Sequence, residues 1–302
     1  MAKERGLVVR ARAPLRLGLA GGGTDVAPYC DEHVGYVLNA TIDRYAYAVI
    51  RVSNNNTLRF EATDLGVQEQ VYLNATEASE DTTDTTSITN LFLHFAVYKT
   101  IMNQFNRGRF LSLSVSTYCD APAGSGLGSS STLVVAMVRA YVELLNLPLD
   151  DYSIANLAYK IERLDCGLQG GRQDQFSATF GGVNFIEFHR HPRTTVNPLR
   201  VKNWILCELE ASLVLYFTGV SRESARIIAE QSGNVHENKN DALNAMHSVK
   251  REALIMKECL LKGDFDGFVM AMRRGWAAKK QSASTVSNSN IDAVYEAAME
   301  AG

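Results

Sequence analysis

The chain has 302 residues, 46% hydrophobic and 21% charged, the balance of a globular protein long enough for a substantial core and two domains around a cleft. A net charge of −3 supplies no general attraction to nucleic acid or to an anionic membrane, so a polyanionic ligand has to be met locally. Five cysteines (Cys30, Cys119, Cys166, Cys207 and Cys259) are scattered, odd in number and without a C-x-x-C pair, which argues against a disulfide framework or zinc site and for a reducing compartment.

No apolar run approaches the ~20 residues needed to span a bilayer, and Arg10, Arg12 and Arg16 break the N-terminal apolar segments, so no signal-peptide core forms. A cytoplasmic location is expected. Residues 7–11 and then 15–19 alternate as short strands. They run into Gly21-Gly22-Gly23-Thr24-Asp25, a loop with room above it and one strong acceptor for hydroxyls. The same aspartate suits an ordinary turn or the cap of a short helix near Pro28 and Tyr29. Residues 36–42 and 45–52 read as two strands joined by a turn at Asp43-Arg44, with weaker strands at 58–60 and 70–73. The acidic, threonine-rich segment 77–86 reads as a solvated loop, and 88–102 as a helix.

The most informative stretch is Pro122-Ala123-Gly124-Ser125-Gly126-Leu127-Gly128-Ser129-Ser130-Ser131. It lies between a strand pattern over 110–117 and a helix whose Leu133, Met137, Ala140, Tyr141 and Leu144 share a face. Alternating glycines accept the positive φ values of a tight loop, and the helix that follows presents unpaired N–H groups to an anion, so the stretch reads as a phosphate cradle. A flexible connector is the plainer reading, but connectors seldom join a clean strand to a clean helix. A Walker loop would need lysine before its Ser/Thr, and a dinucleotide turn would need an acid at the end of a second strand, whereas Glu143 is still inside the helix. Charge neutralisation must then come from backbone, hydroxyls and metal.

Asp150 or Asp151 can cap the next helix, whose apolar face is Ile154, Leu157, Ala158, Ile161 and Leu164 and whose far end carries Glu162 and Arg163. A second glycine-rich turn, residues 166–175, holds Asp174, by itself most often a turn or cap residue. A strand follows at 183–188. His189-Arg190-His191 has no third ligand at suitable spacing and reads as a solvated strand end, not a metal site. Beyond Pro192 one strand at 213–217 precedes helices over 223–231, 240–261, 265–280 and 290–300. Lys279-Lys280 reads as a helix's basic end. The expected class is α+β, with residues 1–192 a mixed-sheet domain and 193–302 a helix-rich domain.

Taken together, the glycine segments resemble the GHMP kinases, small-molecule kinases that include galactokinase, homoserine kinase and mevalonate kinase. The stretch Pro122–Ser131 matches that family's phosphate loop, Ala13-Pro14-Leu15-Arg16 with Thr24-Asp25 its N-terminal motif, and Gly171-Arg172-Gln173-Asp174-Gln175-Phe176 the segment carrying the catalytic aspartate in galactokinase. The resemblance implies a ferredoxin-like C-terminal domain, with a third glycine motif after the last helix, about where the chain stops at Gly302. It implies ATP held by Pro122, Gly124, Ser125, Gly126, Leu127, Gly128, Ser129, Ser130 and Ser131. Asp174 would accept the proton of the attacking hydroxyl, with Arg16 orienting it. Mg²⁺ would sit on Ser130 and Glu162, although Glu162 lies one residue further from the aspartate than in the mevalonate kinase branch.

Galactokinases carry a glutamate and a histidine where Gly22 and Gly23 stand. The pattern around Gly22, Gly23, Thr24, Asp25 and Gly171 is similar instead to the heptose 7-phosphate kinases, which phosphorylate an anomeric hydroxyl. A sugar phosphate is then the expected small-molecule partner, with Arg172 and Arg222 as candidates for its phosphate. An unphosphorylated sugar such as fucose is the alternative substrate. A non-catalytic nucleotide or sugar sensor is the alternative class. The oligomeric state is not readable from the sequence.

Overall fold

The computed structural model describes residues 6–73, 90–122, 124–218, 224–237 and 240–301. Two long antiparallel strands organise it. Strand β1 (Val8–Ala20) runs along one edge of β2 (Gly35–Val52), an 18-residue strand. On the other edge, β6 (Val183–Phe188) pairs with residues 35–40 of β2 and β5 (Leu113–Cys119) with residues 46–52. The sheet then widens beyond β6 through β7 (Thr194–Pro198), and beyond β5 through the parallel neighbour β3 (Thr57–Ala62) and then β4 (Val67–Tyr72). It is mixed, as expected.

The turn expected at Asp43-Arg44 is an irregularity inside one continuous strand. Pro14 faces Tyr45 but Arg16 faces Thr41, so Ile42, Asp43 and Arg44 stand opposite Leu15 alone. A bulge of this kind bends the ribbon and re-aims the side chains beside it. Here it turns Arg16 toward the phosphate loop. Pro14, which cannot donate to a ladder, is tolerated because β1 pairs only with β2.

Helices cover both faces of the sheet. Ala46, Ala48 and Ile50 of β2 join the main core under α2 (Phe92–Phe105), α3 (Ser129–Leu145) and α4 (Asp151–Tyr159), among Val97, Ile101, Val134, Met137, Tyr141 and Leu157. Successive strand residues point to opposite faces. Accordingly, Val37 packs with Phe176 of α5 (Gln173–Phe180) and with Phe188, whereas Leu38 packs with Met256, Leu260, Phe268 and Ala271 of the C-terminal helices. Those helices are α6 (Asn203–Ser212), α7 (Ser224–His236), α8 (Asn240–Lys262), α9 (Phe265–Ser282) and α10 (Ser289–Glu300). Between α1 (Tyr29–His33) and α8, Tyr29 shares a hydrogen bond of 2.9 Å with His247. Asp150, Asp264 and Asn288 cap α4, α9 and α10 by accepting from the backbone N–H three residues on.

Three expectations change. Strand β7 continues the sheet past residue 192, so the change to helical structure comes at α6. Residues 213–217 form no strand; Val214 is 90% exposed and Leu215, Tyr216 and Phe217 are exposed too. After Pro198 the described residues form helices only, so the ferredoxin-like arrangement is not formed among them. The acidic segment 77–86 lies outside the described residues. No helix among the described residues is long and apolar enough to cross a membrane.

Candidate active site

The phosphate loop joins β5 to α3. Gly124, Gly126 and Gly128 have φ of 76°, 79° and 76°, the left-handed region that a side chain resists, and their alternation folds the backbone into a concave turn. Helix α3 starts at Ser129 with no side chain capping it, so its first N–H groups remain available to an anion. The Ser125 hydroxyl is buried and has no hydrogen-bond partner among the described residues, a second unspent donor in the same turn. Ser129 is half-buried and Ser130 exposed, while Ser131 turns inward and accepts from Arg163 Nη2 (3.0 Å) and Gln175 Nε2 (3.1 Å).

Arg16 ties this loop to the carboxylate of Asp174. Its backbone N–H donates to the Leu127 carbonyl (3.3 Å) and its Nη1 to the Gly126 carbonyl (2.7 Å). Its Nε and Nη2 lie 2.7 Å and 2.5 Å from Asp174 Oδ1. Asp174 sits in the first turn of α5, where the helix dipole favours a negative charge, and its side chain keeps 19% of its surface open. A Cβ at Gly128 would come within 3.1 Å of Asp174 Cγ. Glycine is what lets the carboxylate lie against the loop.

Ser130 Oγ donates to Glu162 Oε1 (2.9 Å), and Gln175 Nε2 donates to Glu162 Oε2 (2.7 Å). Glu162 is fully buried, with Arg163 Nη1 at 3.4 Å. It belongs to a π-helical turn, Lys160–Asp165, that continues α4. A π turn accommodates one residue more than an α turn. From this turn the Glu162 carboxylate reaches Ser130.

Beside Asp174 lies a second loop, Gly21 to Asp25. Gly22 and Gly23 are half-buried, but Thr24 and Asp25 are closed off. Thr24 Oγ1 donates to the carbonyl of Gly21 (2.7 Å) and accepts from the Tyr36 N–H (3.0 Å). Asp25 accepts from the backbone N–H of Gly23 and of Gln173 and from Gln173 Nε2, each at 3.0 Å. A Cβ at Gly171 would fall 1.9 Å from Asp25 Oδ2, so that glycine is required for the two loops to meet. Asp25 does not cap α1, whose N-terminus has no side-chain cap.

The similarity to known proteins follows the same geometry. A model of the GHMP kinases N terminal domain matches residues 90–182, which include the phosphate loop, Glu162 and Asp174. The D-glycero-alpha-D-manno-heptose 7-phosphate kinase of Campylobacter jejuni is 44% identical over 97% of this chain and 84% of its own length. This chain belongs to the GHMP kinase family. A crystal structure described as a D-glycero-D-manno-heptose 1-phosphate kinase from Bacteroides thetaiotaomicron superposes with a TM-score of 0.75 at 43% identity, covering 91% of this chain and 79% of that one. Lactococcus lactis galactokinase shares the fold, with a TM-score of 0.65 at 17% identity, covering 97% and 80% of the two chains.

As a GHMP kinase, the protein is a phosphotransferase with ATP as its donor. Its loop, Arg16 and Asp174 come together as one unit. Other expected contacts are corrected. Arg172 is 2% exposed, lies over the Phe188 ring and donates to the His189 and Arg193 carbonyls and Thr194 Oγ1, so it is a core residue and not a phosphate ligand. Thr24 and Asp25 are buried and their side chains hold the loop together. Arg222 lies outside the described residues. Gln173, Gln175 and Arg163 were present in the motifs but unassigned; their roles emerge from buried partners that spacing does not reveal.

Proposed function

We propose that this GHMP kinase transfers the γ-phosphoryl group of ATP to the anomeric hydroxyl of a heptose phosphate, D-glycero-D-manno-heptose 7-phosphate giving the 1,7-bisphosphate, in the cytoplasm. The observation that carries the reading is the Arg16 bridge, which holds Asp174 against the phosphate loop at hydrogen-bond distance. Phosphoryl transfer needs alignment and charge stabilisation more than covalent help. Asp174 accepts the proton of the attacking hydroxyl as the O–P bond forms, and ADP leaves with the electrons of the broken bond. Arg16 fixes where that carboxylate stands relative to the loop, and the uncapped α3 N–H groups together with the Ser125 hydroxyl hold the phosphates.

Ser130 and Glu162 suit a magnesium ion. Two adjacent ligands of an octahedral Mg²⁺, each at 2.0–2.1 Å, stand about 2.9 Å apart. The observed Ser130–Glu162 separation is 2.9 Å. The ion would neutralise the charge that builds up on the transferring phosphates. Gln175 and Arg163 fix the Glu162 carboxylate from behind.

The two similar proteins carry names that differ in which phosphate the sugar already bears. The test therefore has several arms. The enzyme with ATP and Mg²⁺ is offered heptose 7-phosphate, heptose 1-phosphate, unphosphorylated heptose and fucose, and ADP and phosphorylated sugar are followed. Fastest turnover of the 7-phosphate supports the reading; faster turnover of another sugar reassigns the acceptor. Asp174→Asn is expected to lower kcat about 10²–10⁴-fold without loss of fold. Wild-type enzyme inert on all four sugars overturns the proposal.

A further inference from the structure

The proposed base borders a bare patch of strand. Gly18 stands in the interior of β1, two residues after Arg16 and therefore on the same face of the sheet, and it is exposed. Its backbone is ordinary strand, outside the left-handed region, so no turn requires a glycine there. Crowding does not require one either. Among the described residues, a Cβ at Gly18 would meet one atom within 4 Å beyond its chain neighbours, Gln173 Oε1 at 3.5 Å, an ordinary contact. Glycine weakens a strand interior, and it often marks the place where a ligand comes close to the backbone.

The first turn of α5 brings a polar group to this opening. Gln173 directly precedes Asp174, and its backbone N–H and Nε2 both donate to Asp25 of the acceptor loop, Gly21 to Asp25, at 3.0 Å each. Asp25 is buried, so the carboxamide cannot turn over without setting Oε1 against a carboxylate. The carbonyl end is thereby directed to Gly18, and among the described residues no donor reaches it. Asn39, the ladder partner of Gly18, is fully buried, and neither end of its amide has a hydrogen-bond partner among the described residues. The patch is free of side chain yet bordered by unpaired amide groups. Such a place takes a hydroxyl in preference to an apolar group.

We infer that Gln173 is a specificity-determining residue: over the floor of Gly18, its Oε1 accepts a hydrogen bond from the hydroxyl on the carbon next to the anomeric one. The inference rests on the reading of the acceptor as a sugar phosphorylated at its anomeric hydroxyl. Asp25 is then a positioning residue that acts through the Gln173 amide. Consecutive residues of α5 engage neighbouring hydroxyls of one sugar, Asp174 the one that reacts and Gln173 the one beside it.

The test is a cycle of kcat/KM values in which wild type and Gln173→Met are each offered heptose 7-phosphate and its 2-deoxy analogue, with ATP and Mg²⁺. In wild type, removal of the hydroxyl is expected to lower kcat/KM about tenfold, the effect of leaving one neutral hydrogen-bonding group unpaired. In Gln173→Met the same removal should cost less than about threefold, because the partner is already gone. Any intrinsic effect of the missing hydroxyl on the anomeric centre is common to both enzymes and cancels. Equal losses in the two enzymes would make Gln173 a brace of Asp25 only and overturn the inference. Gly18→Ala gives a second measurement on a variant expected to fold, since its Cβ makes an ordinary contact and alanine suits a strand at least as well as glycine. Its melting temperature should be unchanged or higher, while the added methyl raises KM for heptose 7-phosphate about tenfold and alters KM for ATP less than about threefold. An unchanged sugar KM in that variant would remove Gly18 from the acceptor seat and likewise overturn the inference. Wild-type enzyme inert on heptose 7-phosphate itself would reject the acceptor reading, a failure visible before any variant is compared.

Discussion

Arg16 reaches in two directions, to a carbonyl of the phosphate loop and to the proposed base, so a small displacement of either partner changes the transfer geometry. Two glycines of that loop separate backbone strain from catalytic displacement. Gly126 and Gly128 have nearly the same φ, 79° and 76°, but nothing lies within 4 Å of a Cβ at Gly126, whereas one at Gly128 would press on Asp174. Gly126→Ala and Gly128→Ala are each expected to cost about 1–2 kcal/mol of stability from the left-handed backbone. Gly128→Ala should lose at least ~10-fold more in kcat, because misplacing a reacting group by an ångström is costly. Melting curves and kcat measured side by side check both halves.

At the scale of elements, a π turn carries Glu162 and α3 carries Ser130, the two residues of the proposed metal pair. Ser130→Ala and Glu162→Gln are each expected to raise the Mg²⁺ concentration needed for half-maximal rate about 10-fold or more. The double variant should be little worse than either single one, since the two residues act on one ion. A Mg²⁺ titration of the three variants tests this, and additive losses would separate the residues. The glycine-rich loop and most helices were legible because their signals are local: glycines at special φ, a cap at Asp150, apolar faces at helical spacing. Asp174 was singled out only through the family resemblance, since by itself it reads as a turn or cap residue. The single strand β2 was not legible, because Asp43-Arg44 looks like a turn and only pairing with β1 on the partner edge makes it a bulge. Residues 213–217 alternate like a strand, but alternation describes a face and says nothing of a neighbour to pair with; no described strand does so. Strand β7 escaped notice for the opposite reason: it is only five residues long and ends in Asn197 and Pro198, which strands disfavour, and pairing with β6 imposes the conformation. The burial of Arg172 was equally hidden, since nothing beside it in sequence shows that the carbonyls of His189 and Arg193 will surround it.

Over the whole molecule, the C-terminal helices do more than cover the sheet. Lys279 holds Gly22, Gln231 packs over Gly23 and donates to Ser282, and Lys250 donates to the His33 carbonyl, so the acceptor loop and α1 are set by residues more than 190 positions away in sequence. Stability carries a pH signature from the other end of the sheet. His94 is 4% exposed, with Nε2 2.8 Å from Thr117 Oγ1, and burial lowers its pKa to about 4. The unfolded chain, with an ordinary value near 6.5, binds the proton first, so His94 contributes fully above pH 6.5 and stability falls between pH 6.5 and about 4. The loss is at most about 3 kcal/mol, at 1.36 kcal/mol per pKa unit. Denaturant titrations across that range should show this slope, and His94→Gln should flatten it.

The continuity of β2 has a consequence for how the protein comes apart. Its first residues pair with β6 and hold the acceptor side, and its last pair with β5 and hold the strand that leads into the phosphate loop. Melting either half means releasing one end of a strand whose other end is still zipped to β1. The two substrate regions should therefore belong to one cooperative unit. Native-state hydrogen exchange is expected to give the amides of Leu38 and Ile50 the same opening free energy and the same denaturant dependence.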